Sequence, residues 1–342
     1  MKAKTAVLSI SHFIVDMACA ALFFGYVSGT GGAWYAVVVY NALAFLFQLP
    51  LGIIADKLDR DLPFAAAGCA LVAAAFIFAR TPLIAVAVAG LGNGMFHVGG
   101  GIEVMNSSPK AGPLGVFVSP GAIGLFLGKF FAAFFRTAWF IPVGLLVIAG
   151  AGIMLCGVKK RFVSDNPEFS VDIPPRHAVM LGLLFLVVAL RSFMGFTPAF
   201  STGEYLSPLP ALLAGLIPVL LLAFGKAAGG FAADAFGEKP TAVVSLGLCA
   251  MLLIIPDAPV MRLAALFLFN MTMPITLHAS RRLLKNAQGA AFGLLTAALF
   301  VGLIPVLLAF KAPDQPILYG ALAIVSLALL IPGLGFGKRR KA

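Results

Sequence analysis

Charge is scarce in this chain. Of 342 residues only 11% are charged, and acids are scarcer than bases, 13 against 24. A chain that is 61% hydrophobic has too little polar surface to cover itself in water, so a water-soluble globular fold is excluded. Cysteine is equally sparse. Cys19, Cys69, Cys156 and Cys249 stand singly inside apolar runs, which excludes a disulfide framework and leaves them as small apolar packers. The four histidines lie in separate apolar segments or at their ends, without metal-ligand spacing to Cys or Glu. No Gly-Lys-Ser/Thr phosphate loop occurs, which argues against ATP-driven pumping. Enzyme chemistry, a metal and a cofactor are therefore not expected.

What the chain has instead is apolar blocks. They run over 5–27, 33–55, 62–79, 82–106, 113–135, 138–157, 178–200, 209–234, 240–255, 259–280, 289–310 and 316–335. Each approaches the roughly 20 residues that a bilayer core requires of a helix. The Lys and Arg between them alternate. With the N-terminus in the cytoplasm, 17 of the 24 fall on the inside, 4 (Arg80, Arg136, Arg262, Lys311) on the outside, and 3 (Lys129, Arg191, Lys226) within blocks. Basic residues stay on the cytoplasmic side. The expectation is therefore an all-α protein of twelve transmembrane helices, both termini cytoplasmic, in the inner or plasma membrane. The first block is not read as a cleaved signal, because His12 and Asp16 interrupt it. The net charge of +11 sits at helix ends, beside anionic lipid headgroups, so nucleic acid is not an expected partner.

The most polar stretch, Lys159 to Arg176, divides the chain into 1–157, a linker at 158–177, and 178–342. The two parts share a signature. Gly52, Asp56, Lys57 and Arg60 follow the second block; Gly230, Asp234 and Lys239 follow the eighth, with Asp234 lying 178 residues after Asp56. The glycine allows a neighbouring helix to come close. The aspartate, on the same face, can accept from a helix N-terminus or pair with a basic residue, forming a lock that holds in one conformation. Duplicated six-helix halves are a plan of secondary transporters.

On these residues the chain resembles the major facilitator superfamily, whose loop 2–3 motif has the pattern of Gly52, Asp56, Lys57 and Arg60. Asp59 stands where that motif has glycine, and Ala235 replaces a usual basic residue in the second copy. The glycine-rich run from Gly90 to Phe96 and His97 resembles the fosmidomycin-resistance branch, with Val98 where that branch has proline. Pro120, Gly121 and Gly124 resemble the antiporter motif of helix 5, which implies a bend that seals the halves against leak. The resemblance implies two six-helix bundles, with helices 1, 4, 7 and 10 lining a central path.

Ionisable groups inside a bilayer are costly and mark function. His12 and Asp16 sit one turn apart on helix 1, where an imidazole beside a carboxylate can exchange protons. Arg191 on helix 7 is expected to hold an anionic substrate and to pair with Asp16 when substrate leaves; the alternative is a static ion pair. His97 is either a cavity ligand or a packing residue. Glu103 is a gate candidate, or it snorkels to water. Lys129 and Lys226 either face the cavity or snorkel, and Asn41 and Asn270 either touch substrate or bridge helices. The expected activity is proton-coupled antiport, exporting a small organic anion by alternating access, from a monomer. The alternatives are an uptake symporter for an organic anion and a lipid or lysolipid flippase.

Overall fold

The computed structural model describes residues 2–157, 173–202 and 205–335. Most of the linker, with Lys159, Lys160 and Arg161, lies outside them, as does the basic cluster from Lys338 onward. Among the described residues, twelve helical segments of 16 residues or more follow the apolar blocks, with a short helix, Ala132–Thr137, between the fifth and sixth. They are α1 (Ala3–Val27), α2 (Ala33–Leu58), α3 (Asp61–Phe78), α4 (Pro82–Ser107), α5 (Gly112–Phe130), α6 (Phe140–Leu155), α7 (Pro175–Gly195), α8 (Ala211–Phe236), α9 (Glu238–Leu253), α10 (Pro259–Leu283), α11 (Gln288–Leu307) and α12 (Pro316–Gly333). Ten of them are long and apolar enough to cross a membrane. The other two, α6 and α9, have 16 residues each, short of the bilayer core. The chain is a multi-pass membrane protein, and large exposed side chains such as Trp139, Ile148, Phe224 and Phe236 form its apolar outer surface.

The packing repeats with a shift of six helices. The pairs α1–α5, α3–α6 and α2–α4 recur as α7–α11, α9–α12 and α8–α10. Between the first six helices and the last six, α2 meets α11 and α5 meets α8, again as a related pair. Glycine sets how close the helices come. A Cβ on Gly52 would lie 2.1 Å from the carbonyl oxygen of Gly289, and one on Gly289 would lie 2.3 Å from that of Gly52. Gly90 and Gly94 admit the backbone of α2 to α4, while Gly92 and Gly99 admit that of α3.

Three helices are interrupted in mid-course. In α2 the π-helical turn Ala42–Leu46 breaks the ladder, in α10 the break falls at Met271, and in α5 it falls at Ser119. The α5 break has a local cause, since Pro120 has no N–H to return to the turn before it.

Candidate functional site

The polar centre assembles from α1, α4 and α5. His12 (5% exposed), Asp16 (6%) and His97 (9%) are all buried. His12 Nε2 lies 3.2 Å from Asp16 Oδ2 and 2.8 Å from His97 Nε2, and His97 Nε2 lies 3.8 Å from Asp16 Oδ1. His12 Nδ1 donates to the Phe117 carbonyl at 2.7 Å, and His97 Nδ1 donates to the Asn93 carbonyl at 2.9 Å. Asn93 Nδ2 donates to Asp16 Oδ1 at 2.9 Å.

These bonds settle the hydrogens. A carbonyl only accepts, so both Nδ1 atoms carry hydrogen and a neutral ring would offer a bare Nε2. Two bare Nε2 atoms and a carboxylate oxygen then converge with no donor among them. A 2.8 Å approach of two ring nitrogens is a hydrogen bond only if one of them holds a further proton. The close approach of the two Nε2 atoms therefore calls for a cation, a proton or an ion, between lone pairs that otherwise face each other. Gly121 makes room for it, because a Cβ there would lie 2.2 Å from His12 Nε2 and 2.4 Å from Asp16 Oδ2.

The last six helices contribute cations. Arg191 on α7 is 7% exposed and donates to Thr272 Oγ1 and Thr276 Oγ1, each at 3.4 Å, longer than an ordinary N–H···O bond. Among the described residues these threonines are the guanidinium's polar partners, so most of its five donors and all of its charge remain unmatched. Half-buried Lys226 on α8 crosses to α5 and donates to the Val118 carbonyl at 3.3 Å. The interruption at Ser119 thus presents neighbouring carbonyls to both sides, Phe117 to His12 and Val118 to Lys226.

Several expectations change here. Arg191 does not pair with Asp16 in this conformation, because the carboxylate is taken by His12, His97 and Asn93 and the guanidinium by two threonines. Glu103 pairs with Lys4 at 3.1 Å, within the first six helices and not across them. Lys129 is exposed, 5.1 Å from the Phe24 ring, where its stem and charge snorkel. Asn41 and Asn270 each donate at 2.8 Å to a carbonyl one turn back, Val37 and Leu266, so both are engaged within their own helix. Gly121 and Gly124 of the helix-5 motif face α1, where a Cβ on Gly124 would lie 2.2 Å from the Phe13 carbonyl oxygen; among the glycines of α5, Gly112 and Gly115 face α8 of the other half. The histidines, without ligand spacing along the chain, meet in space once α1 and α4 pack. Sequence reading also passed over Asn93, Thr272 and Thr276. Their signal was spacing: Asn93 precedes His97 by four residues, as Thr272 does Thr276.

The duplicated signature forms two matching clasps. Asp56 accepts from the backbone N–H of Gly289 and Ala290, both at 2.9 Å, at the start of α11. Asp234 accepts from those of Ala111 at 2.8 Å and Gly112 at 2.9 Å, at the start of α5. Each carboxylate caps the N-terminus of a helix from the opposite half, where orphan N–H groups and the helix dipole favour it. Gly230 lets the second clasp close, since a Cβ on it would lie 2.7 Å from the Ala111 carbonyl. Lys57 and Arg60 are exposed beyond the first clasp, and Lys239 follows the second. Asp59 adopts a left-handed φ of 50°, and Gly237, its counterpart 178 residues on, has φ 93°, which explains the glycine usual at this turn. A further contact lies at the same end: His278 Nε2 donates to the Pro109 carbonyl at 2.8 Å, while His278 Nδ1 and Arg282 both engage Glu238.

No family model matches the chain, and no curated protein matches it. Solved structures do. A variant of the E. coli fucose:proton symporter FucP superposes with a TM-score of 0.69 at 12% identity, covering 96% of this chain and 98% of its own. FucP in the outward conformation gives 0.67, also at 12% identity. A bacterial homologue of the iron transporter ferroportin, in an outward-facing state, gives 0.61 at 14% identity, over 97% of each chain. The chain has the major facilitator fold. The proteins that share it here are transporters, not enzymes.

Proposed function

We propose that this protein is a secondary active transporter that moves a small organic anion against protons by alternating access, with residues 1–157 and 178–342 as the two bodies that rock. The observation that carries the reading is the division of charge. The first half holds a carboxylate and two imidazoles in mutual contact; the second holds Arg191 and Lys226 with no carboxylate partner among the described residues. A guanidinium kept in a bilayer costs roughly 2.5–3.5 kcal/mol or more unless a partner or a wet cavity relieves it. An anionic substrate bound to Arg191 and Lys226 provides that relief. When the cluster loses its proton, the facing lone pairs repel and α1 and α4 must shift, which couples proton release to movement.

Both clasps lie at the end expected to be cytoplasmic, so the closed gate there corresponds to an outward-facing state. Breaking four carboxylate–amide bonds is required for inward opening, and a bias of a few kcal/mol is enough to set the balance. We favour export, as the resemblance of helix 5 and the Gly90–His97 run suggests, with twelve spans and both termini inside. Uptake of the same anion by symport is the second reading, favoured by the likeness to a proton symporter. Everted vesicles decide between them. Anion accumulation driven by an acidic lumen supports antiport export; accumulation only with a proton gradient of opposite sign supports symport. A transported substrate that proves to be a cation overturns both.

A further inference from the structure

The His12–Asp16–His97 cluster has a second property that proton carriage does not require. Its three donor atoms come from three side chains and converge on one point, all within 4.8 Å of one another. A tetrahedral ion with bonds of 2.0–2.2 Å keeps its donors about 3.3 Å apart. His12 Nε2 lies 2.8 Å from His97 Nε2 and 3.2 Å from Asp16 Oδ2, close to that value, and His97 Nε2 approaches the carboxylate at Oδ1, 3.8 Å away. The surroundings fit as well. Each imidazole is anchored through its Nδ1–H on a carbonyl, Phe117 or Asn93, which points the Nε2 lone pair inward. Asn93 occupies Asp16 Oδ1 and leaves Oδ2 toward His12. Ring nitrogens oriented through the opposite N–H are the usual outer support of metal-bound histidine. Gly121 keeps one flank of His12 Nε2 and Asp16 Oδ2 clear of side chain.

We infer that this cluster is a binding site for a divalent first-row transition-metal ion, held by His12 Nε2, His97 Nε2 and the Asp16 carboxylate. Two imidazoles and one carboxylate suit zinc-class ions and disfavour Mg²⁺ and Ca²⁺, which take oxygen ligands. Three protein ligands leave a fourth position for water or an anion. The inference goes beyond the transport reading: the ion and the extra proton occupy the same lone pairs, so a bound ion displaces the proton and arrests coupling.

The test uses the full-length protein, purified in detergent, stripped with chelator and titrated with Zn²⁺ by calorimetry. Co²⁺ serves as a spectroscopic probe. One equivalent should bind, and Co²⁺ should give visible d–d bands without a thiolate band. His97→Ala and Asp16→Asn should each weaken binding by about 10–100-fold or more, whereas His278→Ala, at the distant end of the molecule, should not change it. Melting curves without metal identify variants that fold, and Asp16→Asn preserves shape if His97→Ala does not. Two results would overturn the inference: folded wild-type protein that binds neither ion stoichiometrically, or one-equivalent binding that persists in both variants. Transport assayed in chelator is scored separately. Proton coupling without metal binding removes only the metal site, and metal binding without proton coupling removes only the transport reading.

Discussion

In α1 and α4 the buried polar side chains are bound to one another. Asp16, His12, His97 and Asn93 form a closed set whose bonds run from 2.7 to 3.2 Å. In the second half, α7 and α8 hold two cations whose bonds are longer, 3.3 and 3.4 Å, and end on uncharged oxygens. One half of the central site is thus satisfied internally apart from a proton, and the other is left short of an anion. A repeated fold has acquired two chemistries. The clasps show the opposite case, since Asp56 and Asp234 each make the same pair of amide bonds. Symmetry is kept where the halves must open and close alike, and lost where two different ligands are held.

The largest test of this contrast is Asp16→Asn. It keeps the hydrogen-bonding shape and removes the proton-linked charge, so gradient-driven accumulation in proteoliposomes should fall by about two orders of magnitude, while substrate exchange between equal pH compartments persists in part. Unaltered accumulation would detach the first half from coupling. Next is Arg191→Lys, which keeps the charge and loses the fork; anion affinity should fall about tenfold, near 1.4 kcal/mol. Because Arg191 does not touch Asp16 here, Arg191→Ala should lower affinity further yet leave the pH profile of transport in place. A shifted profile would mean that the halves share one site charge.

Asp56→Asn and Asp234→Asn probe the symmetric part. An amide accepts with one oxygen only and carries no charge for the helix dipole, so each clasp should weaken by roughly 1 kcal/mol. Turnover should change severalfold with affinity nearly constant, and a fluorescence probe of opening should move toward the inward-facing state in both variants alike. A response in one and none in the other would break the symmetry argued here. The smallest effect on transport is expected at Gly237→Ala. At φ 93° and ψ 153° the backbone lies in a region essentially reserved for glycine, so a side chain costs about 1–3 kcal/mol and the variant should melt earlier with transport intact. Asp59 at the matching turn is in the ordinary left-handed region instead, at φ 50° and ψ 42°.

The apolar blocks, the alternation of basic loops and the two Gly–Asp signatures were legible along the chain, because bilayer thickness and helix periodicity act on neighbouring residues. Block ends and helix ends agree to within a few residues at Ala33, Pro82 and Pro316, where glycine or proline starts the helix. Less legible were α6 and α9, whose apolar blocks end in helices of 16 residues. The site was legible in part. His12 and Asp16 declare themselves by their i,i+4 spacing, but the partners that Arg191 has in this conformation do not. An isolated arginine and an isolated aspartate suggest a pair on charge alone, and nothing local announces that two threonines stand closer.

By itself, then, the sequence determined that this protein crosses a membrane many times, that it is built as a repeat, and that costly side chains sit in its interior. Those properties follow from hydrophobicity summed over short windows and from residues repeated at a fixed offset. Only the tertiary structure decided that His97, 85 residues from His12, completes the cluster with Asp16, that Pro120 turns carbonyls toward both His12 and Lys226, and that Asp56 and Asp234 cap helices of the opposite half. The reason is physical. Hydrogen-bond partners and metal ligands are selected by distances of about 3 Å in space, and helix packing, not chain order, sets those distances.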